Sequence, residues 1–238
     1  MANLEDLGIP AWVQAAWSEP PRKGDILFRP VNSTEGAPDD WEMNALVRKA
    51  DDHAYSEGYR LAGRIVADHV SQQPLDADFL VYPIIFLYRH YVELQLKRLI
   101  PMGALLVNKA ISEADRKRLL EHSLVGLWAL FEPVLQEAAQ GIVAMTHEEI
   151  EGLGWYVNEL NKFDPRSFSA RYALDRDGVP CIDDHKHPAI NIGVFAQCME
   201  RLAACLFGLG EAFREARQVK CEMDDEARGE GMEFHDGQ

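Results

Sequence analysis

Arg89, His90, Glu93 and Lys97 follow directly on an apolar run in VYPIIFLYRHYVELQLKRLI, residues 81–100. At helical spacing His90, Glu93 and Lys97 form one polar stripe, and Arg89 stands four residues before Glu93. Burying such groups unpaired costs several kcal/mol each, so they must reach water, pair with one another, or line a cleft. The three readings are a solvated stripe, a structural ion network, and a pocket that holds an acidic ligand. Other chemistry-bearing residues are sparser. DDHKH at 183–187 supplies carboxylates and two imidazoles, His185 and His187, but a metal would need further ligands from elsewhere. Ser167, His122 and Asp164 can be drawn as a hydrolytic triad, yet no GxSxG elbow presents the serine. Trp155, Tyr156 and Tyr172 could stack bases; without strand-borne placement they read as core aromatics. The expectation is no metal and no cofactor.

The elements that position these residues are helical. Leu46, Ala50, Ala54, Gly58, Leu61 and Ile65 step by three or four along one helix that begins near Asp40 and ends before Pro74. A second helix spans about 77–100, with Pro83 in its first two turns and Pro101 after its end. SEAD at 112–115 has the form of a helix start, and Ser123 can cap a further helix bent by Pro133. Thr146 and Glu149 make a capping box for a helix that stops at Asp164–Pro165. Two short runs flank the turn sequence DRDG, which predicts a small β-hairpin near 170–182. A last helix from about 189 to 218 carries Val194, Cys198, Leu202, Cys205, Leu209 and Phe213. The fold class is therefore all-α: an antiparallel helical bundle with a hairpin inserted before its last helix. Residues 1–40 read as an irregular arm pinned by Trp12 and Trp17, 41–218 as the helical domain, and 219–238 as an acidic, mobile tail.

The totals limit the partners. The 238 residues carry a formal charge of −15, which disfavours loose binding of phosphate backbones by the whole surface. The charge is uneven: the basic segment 89–118 holds seven bases against three acids, while 222–238 holds seven acids against Arg228 alone. That basic segment is the candidate surface for RNA. No strand, glycine-rich loop and helix follow one another, which argues against nucleotide cradling of the Rossmann or P-loop kind. No apolar run reaches the length of a membrane span, no export signal is visible, and the four cysteines form no CxxC pair. The expected setting is a reduced cytoplasm without membrane contact.

One resemblance sharpens the functional expectation. Tyr91, Leu96 and Lys97 on one helix, then His122, Ser123, Leu124 and Leu127 opening a later one, resemble the HEPN superfamily. Asp164, Ser167, Arg171 and Tyr172 match a D-x-x-S-x-x-x-R-Y segment of bacterial members, so the similarity covers roughly 40–215. The resemblance implies a helical bundle, commonly dimeric, from toxin–antitoxin or antiviral defence systems. Some members are metal-independent ribonucleases in which an Arg-x4–6-His pair moves the 2′-hydroxyl proton and offsets phosphorane charge. Arg48/His53, Arg64/His69 and Arg116/His122 fit that spacing, and with 16 arginines and eight histidines about one or two fits arise by chance. The helix at 189–218, where nuclease members usually carry the pair, has no histidine.

Two functions follow. In the first, the chain is a non-catalytic HEPN-like interaction or sensing module, a homodimer or the binder of another protein. Its polar network is then Arg89, His90, Glu93, Lys97, His122, Asp164 and Arg171. In the second, it is a metal-independent endoribonuclease with His122, Arg116 and His90 as catalytic candidates. Charge and the histidine-free last helix favour the first.

Overall fold

The computed structural model describes residues 13–14, 20–23, 45, 52–165, 167–182 and 189–233, with backbone alone from 226. The chain divides into two units, 1–49 and 50–238, and every long helix among the described residues lies in the second. The expected arm at 1–40, with Trp12 and Trp17, lies almost wholly outside the described residues, as do Arg48 and the DDHKH segment.

Among the described residues the protein is all-α: 74% helical, with six helices and no strand. They are α1 (Asp52–Gln72), α2 (Ala77–Leu106), α3 (Glu113–Leu119), α4 (Leu124–Ala138), α5 (His147–Phe163) and α6 (Ile192–Glu233). A single 3-10 turn, Pro74–Asp76, joins α1 to α2. α2 is central; α1, α4 and α6 pack on it, α5 packs on α4, and α6 also touches α1. Its apolar first half leads into a face that is buried to the end, from Ile84 through Tyr88, Tyr91, Val92, Leu96 and Leu99 to Leu106. Each large side chain buried there contributes about 1.5–3 kcal/mol of transfer free energy.

The capping signals act as their chemistry requires. Ser112 accepts from Asp115 N–H while the Asp115 carboxylate takes Ser112 N–H, and Thr146 and Glu149 repeat the exchange. Ser123 Oγ accepts from Gly126 N–H at 3.1 Å and opens α4.

Several expected boundaries move. Pro101 does not end α2, which continues to Leu106; one forfeited backbone hydrogen bond is outweighed by burial of Gly103, Ala104 and Leu106 beyond it. The stripe expected to bury α1 faces outward instead, with Leu61 and Ile65 both exposed. The face turned inward carries Ser56, Gly63, Ala67 and Val70, small residues that let α1 sit close to Tyr88. α6 runs past 218, so the backbone of 219–233 is helical rather than a tail. Its stretch Ile192–Asp225 is long and apolar enough to cross a membrane by composition. Met199, Leu202, Leu206, Leu209 and Phe213 of that stretch are nonetheless buried in the core.

The segment expected as a hairpin doubles back through one antiparallel bridge, Leu174 to Pro180, not a ladder. Asp175 closes the turn by accepting from Asp177 and Val179 N–H, and Gly178 takes the positive φ of 78° that the turn needs.

Gly103 marks the tightest helix approach. A Cβ there would lie 2.7 Å from Val134 and 2.8 Å from Phe213. Gly58, on exposed α1, has nothing within 4 Å of the same position. Gly58→Ala is expected to raise stability by about 0.5–1 kcal/mol through helix propensity. Gly103→Ala gains the same propensity but overpacks α4 and α6, for a net loss of about 1–2 kcal/mol. Urea midpoints of the two variants check the opposite signs.

Candidate functional site

Arg89 is the centre of the ion network and is fully buried. Its Nε donates to the Asp164 carbonyl at 3.0 Å, Nη1 to Glu93 Oε2 at 2.9 Å, and Nη2 to the His122 carbonyl at 2.6 Å. One side chain thus ties α2 to the loop before α4 and to the end of α5. Glu93 Oε1 accepts from Lys97 Nζ at 2.9 Å and from His122 Nδ1 at 2.7 Å. A carboxylate only accepts, so Nδ1 carries hydrogen, on a side chain that is 60% exposed. Burial alone would raise the Glu93 pKa, but hydrogen bonds from Lys97, His122 and Arg89 outweigh it and hold the carboxyl below its ordinary value.

Asp164 completes the balance. Its Oδ2 lies 3.6 Å from Arg89 Nε, in ionic contact without a hydrogen bond. Its Oδ1 accepts from Phe168 N–H at 2.7 Å and Ser169 N–H at 2.9 Å. These bonds shape the loop that carries Ser167 into the left-handed region, φ 56°, where a non-glycine residue is strained. Arg171 grips that strained residue: Nε and Nη2 both donate to the Ser167 carbonyl. The two cations Arg89 and Lys97 stand against the two anions Glu93 and Asp164.

Two expected members stand apart. His90 turns away from Glu93 and packs edge-on against Tyr59, ring centroids 4.4 Å apart, and stacks on Phe86 at 5.7 Å. Burial lowers its pKa. Among the described residues Arg171 joins no carboxylate; its guanidinium lies over Phe86 at 5.5 Å and Tyr172 at 5.9 Å. Arg48 lies outside the described residues, and no hydrogen bond joins Arg64 to His69 or Arg116 to His122 among the described residues. Arg116 is exposed on the last turn of α3 and its side chain forms no hydrogen bond or ion pair among the described residues, while His69 bonds Asp76 at 2.7 Å. Ser167 is buried under its own loop, so the triad drawn with His122 and Asp164 is not presented to a substrate. Trp155, expected in the core, is 61% exposed.

Sequence reasoning missed a second network on the opposite side of α2. Glu200 accepts from Tyr88 OH at 2.9 Å and from Arg60 at 2.6 Å, and Arg60 also holds Glu57 at 2.8 Å. Buried Gln95 donates to Ser56 at 3.0 Å and accepts from Arg98 at 2.7 Å. The Glu57–Arg60 and Gln95–Arg98 spacings are visible in the sequence; Glu200 is brought by α6, and Ser56 by the packing of α1 on α2.

The open space lies beside the first network. A cleft of about 700 Å³ runs between the start of α2, the end of α5, the 169–182 loop and the start of α6. Asp78, Tyr82, Phe163, Arg171, Tyr172 and Ile192 line it. Neither Arg89 nor His122 reaches it. Among the described residues no three metal-ligating side chains cluster. No family model, curated protein or solved structure matches the chain.

Proposed function

We propose that the chain is a non-catalytic, HEPN-like binding or sensing module of a bacterial defence or toxin–antitoxin-type assembly, cytoplasmic, homodimeric or bound to another protein, without a membrane. The observation that carries this reading is a separation of roles. The donors of Arg89 are engaged inside the fold, so the polar network reads as a structural clamp rather than as the surface that receives an acidic ligand. The neighbouring cleft, in contrast, holds an arginine with no carboxylate partner among the described residues. Its volume falls within the range of about 300–1,000 Å³ usual for small-molecule sites.

A second reading has one specific support. Glu93 Oε1 joins His122 and Lys97, which places an oriented imidazole and an ammonium on one carboxylate. In an endoribonuclease His122 would take the 2′-hydroxyl proton and Lys97, not Arg116, would offset phosphate charge. RNA binding would then run along the basic segment 89–118.

Labelled RNA incubated with the protein in EDTA tells the two apart. The expected result is intact RNA at all times, with wild type, His122→Ala and Lys97→Ala indistinguishable. Cleavage in EDTA that disappears in His122→Ala would replace the binding module with the nuclease.

A further inference from the structure

We propose that the cleft between α2, α5 and α6 binds a flat aromatic monocarboxylate, its carboxylate on Arg171 and its ring against Tyr82 and Tyr172. This inference rests on the binding-module reading and names the ligand class of its site.

Charge is the first support. In a chain with 39 acids and 24 bases, a guanidinium facing a cleft without a carboxylate partner among the described residues is out of keeping with its surroundings. Arg171 is also fixed before any ligand arrives. Nε and Nη2 hold the Ser167 carbonyl, and the plane rests on Phe86 and Tyr172. Among the described residues Nη1 has no hydrogen-bond partner, and it belongs to a side chain whose rotamer entropy is already lost, which favours charge-assisted bonding to an anion.

The walls define the body of the ligand. Tyr82 and Tyr172 expose about half their surface, 48% and 53%, and Val81, Ile182 and Ile192 supply apolar sides. Tyr172 stacks on Phe168, ring centroids 4.4 Å apart, and this aromatic pair with Tyr82 and the aliphatic walls favours a planar hydrocarbon body over a sugar or a polyamine. Asp78 sets the charge of the head. It stands in the first turn of α2, lines the same cleft and forms no hydrogen bond or ion pair among the described residues. One free donor edge and a nearby carboxylate suit a single negative charge and penalise a second, so a monocarboxylate is preferred to a phosphate monoester.

The test is calorimetry and thermal melting of the full chain with 2-naphthoate, 2-naphthyl phosphate and 2-naphthylmethylamine. Naphthoate is expected to bind and raise Tm, the phosphate ester to bind more weakly, and the amine weakest of all. Arg171→Gln should weaken naphthoate about tenfold or more, the scale of one charge-assisted hydrogen bond. Asp78→Asn lies at a helix start and removes no hydrogen bond or ion pair to the Ser167 loop among the described residues. It should tighten both anions, the phosphate ester more, and so reports on the site even if Arg171→Gln loosens its loop. An amine that binds as well as naphthoate, or naphthoate affinity unchanged in both variants, overturns the carboxylate and leaves a binding cleft of another kind. No binding by any of the three probes to wild type or Asp78→Asn overturns the cleft as a ligand site, and the module reading with it.

Discussion

Arg89→Ala is expected to cost about 3–5 kcal/mol, the range for breaking a buried ion pair by removing one partner. Two effects add. Three hydrogen bonds vanish, from Asp164, Glu93 and His122, and two carboxylates that are about 1% exposed lose their central cation. Lys97 still reaches Glu93 Oε1, but nothing replaces Arg89 at Oε2 or beside Asp164 Oδ2. For a domain whose whole stability is about 5–15 kcal/mol, this loss should bring the urea midpoint close to zero or prevent accumulation of folded protein. The informative partner is Arg89→Met with Glu93→Gln. Methionine refills the volume and glutamine removes the uncompensated charge, so the double variant should be more stable than Arg89→Met alone. If Arg89→Ala melts within about 1 kcal/mol of wild type, the residue behaves as a surface group and the clamp assignment fails.

Where sequence spacing could specify structure, it did so through local chemistry. Ser112, Ser123 and Thr146 act within their own helix turns, and a capping box is complete within four residues. The pairing of Arg89 with Glu93 is likewise an i, i+4 contact. His122 and Asp164 entered the expected network through the resemblance, not through spacing; the geometry depends on Ser123 opening α4 and on α5 ending at Asp164. His90 shows the limit. It shares a helical stripe with Glu93 and Lys97, yet Tyr59 of α1 draws it into an aromatic cluster, and no pattern within α2 reports what α1 will present. Pro101 misleads for a related reason. Local propensity ends the helix there, while the core formed by Val134 and Phe213 around Gly103 continues it. The cleft is the least legible feature, since its walls come from four separate segments and Arg171 is placed by Ser167, a residue in a conformation its type does not announce.

Acid should unfold the protein through Glu93, and the sign follows from its environment. Burial opposes the charged form, but Lys97, His122 and Arg89 all donate to it, and the net effect lowers its pKa in the folded state. A carboxyl whose folded pKa is depressed contributes stability that is fully present above its unfolded pKa and is lost as pH falls through the folded one. The loss therefore falls in the acid range at and below about pH 4, the unperturbed value for glutamate. The groups facing Glu93 are Arg89 and Lys97 from α2 and His122 from the loop before α4, with Asp164 on the far side of Arg89. Protonating Glu93 leaves Arg89 and Lys97 sharing Asp164 as the one remaining anion of the network, so the cluster becomes positive as well as losing bonds. Glu93→Gln imitates that state at every pH. Its cost near neutrality should be about 2–4 kcal/mol, from a buried arginine deprived of its carboxylate. Near pH 3 the difference from wild type should shrink, because below the unfolded pKa the unfolded wild type takes up a proton that the folded state resists, and the stability held by the charged carboxylate declines. Urea titrations of both proteins at pH 7, 5 and 3 measure this convergence. Parallel curves, with the variant displaced by the same amount at all three values, would mean that Glu93 is not the carboxyl whose protonation weakens the fold.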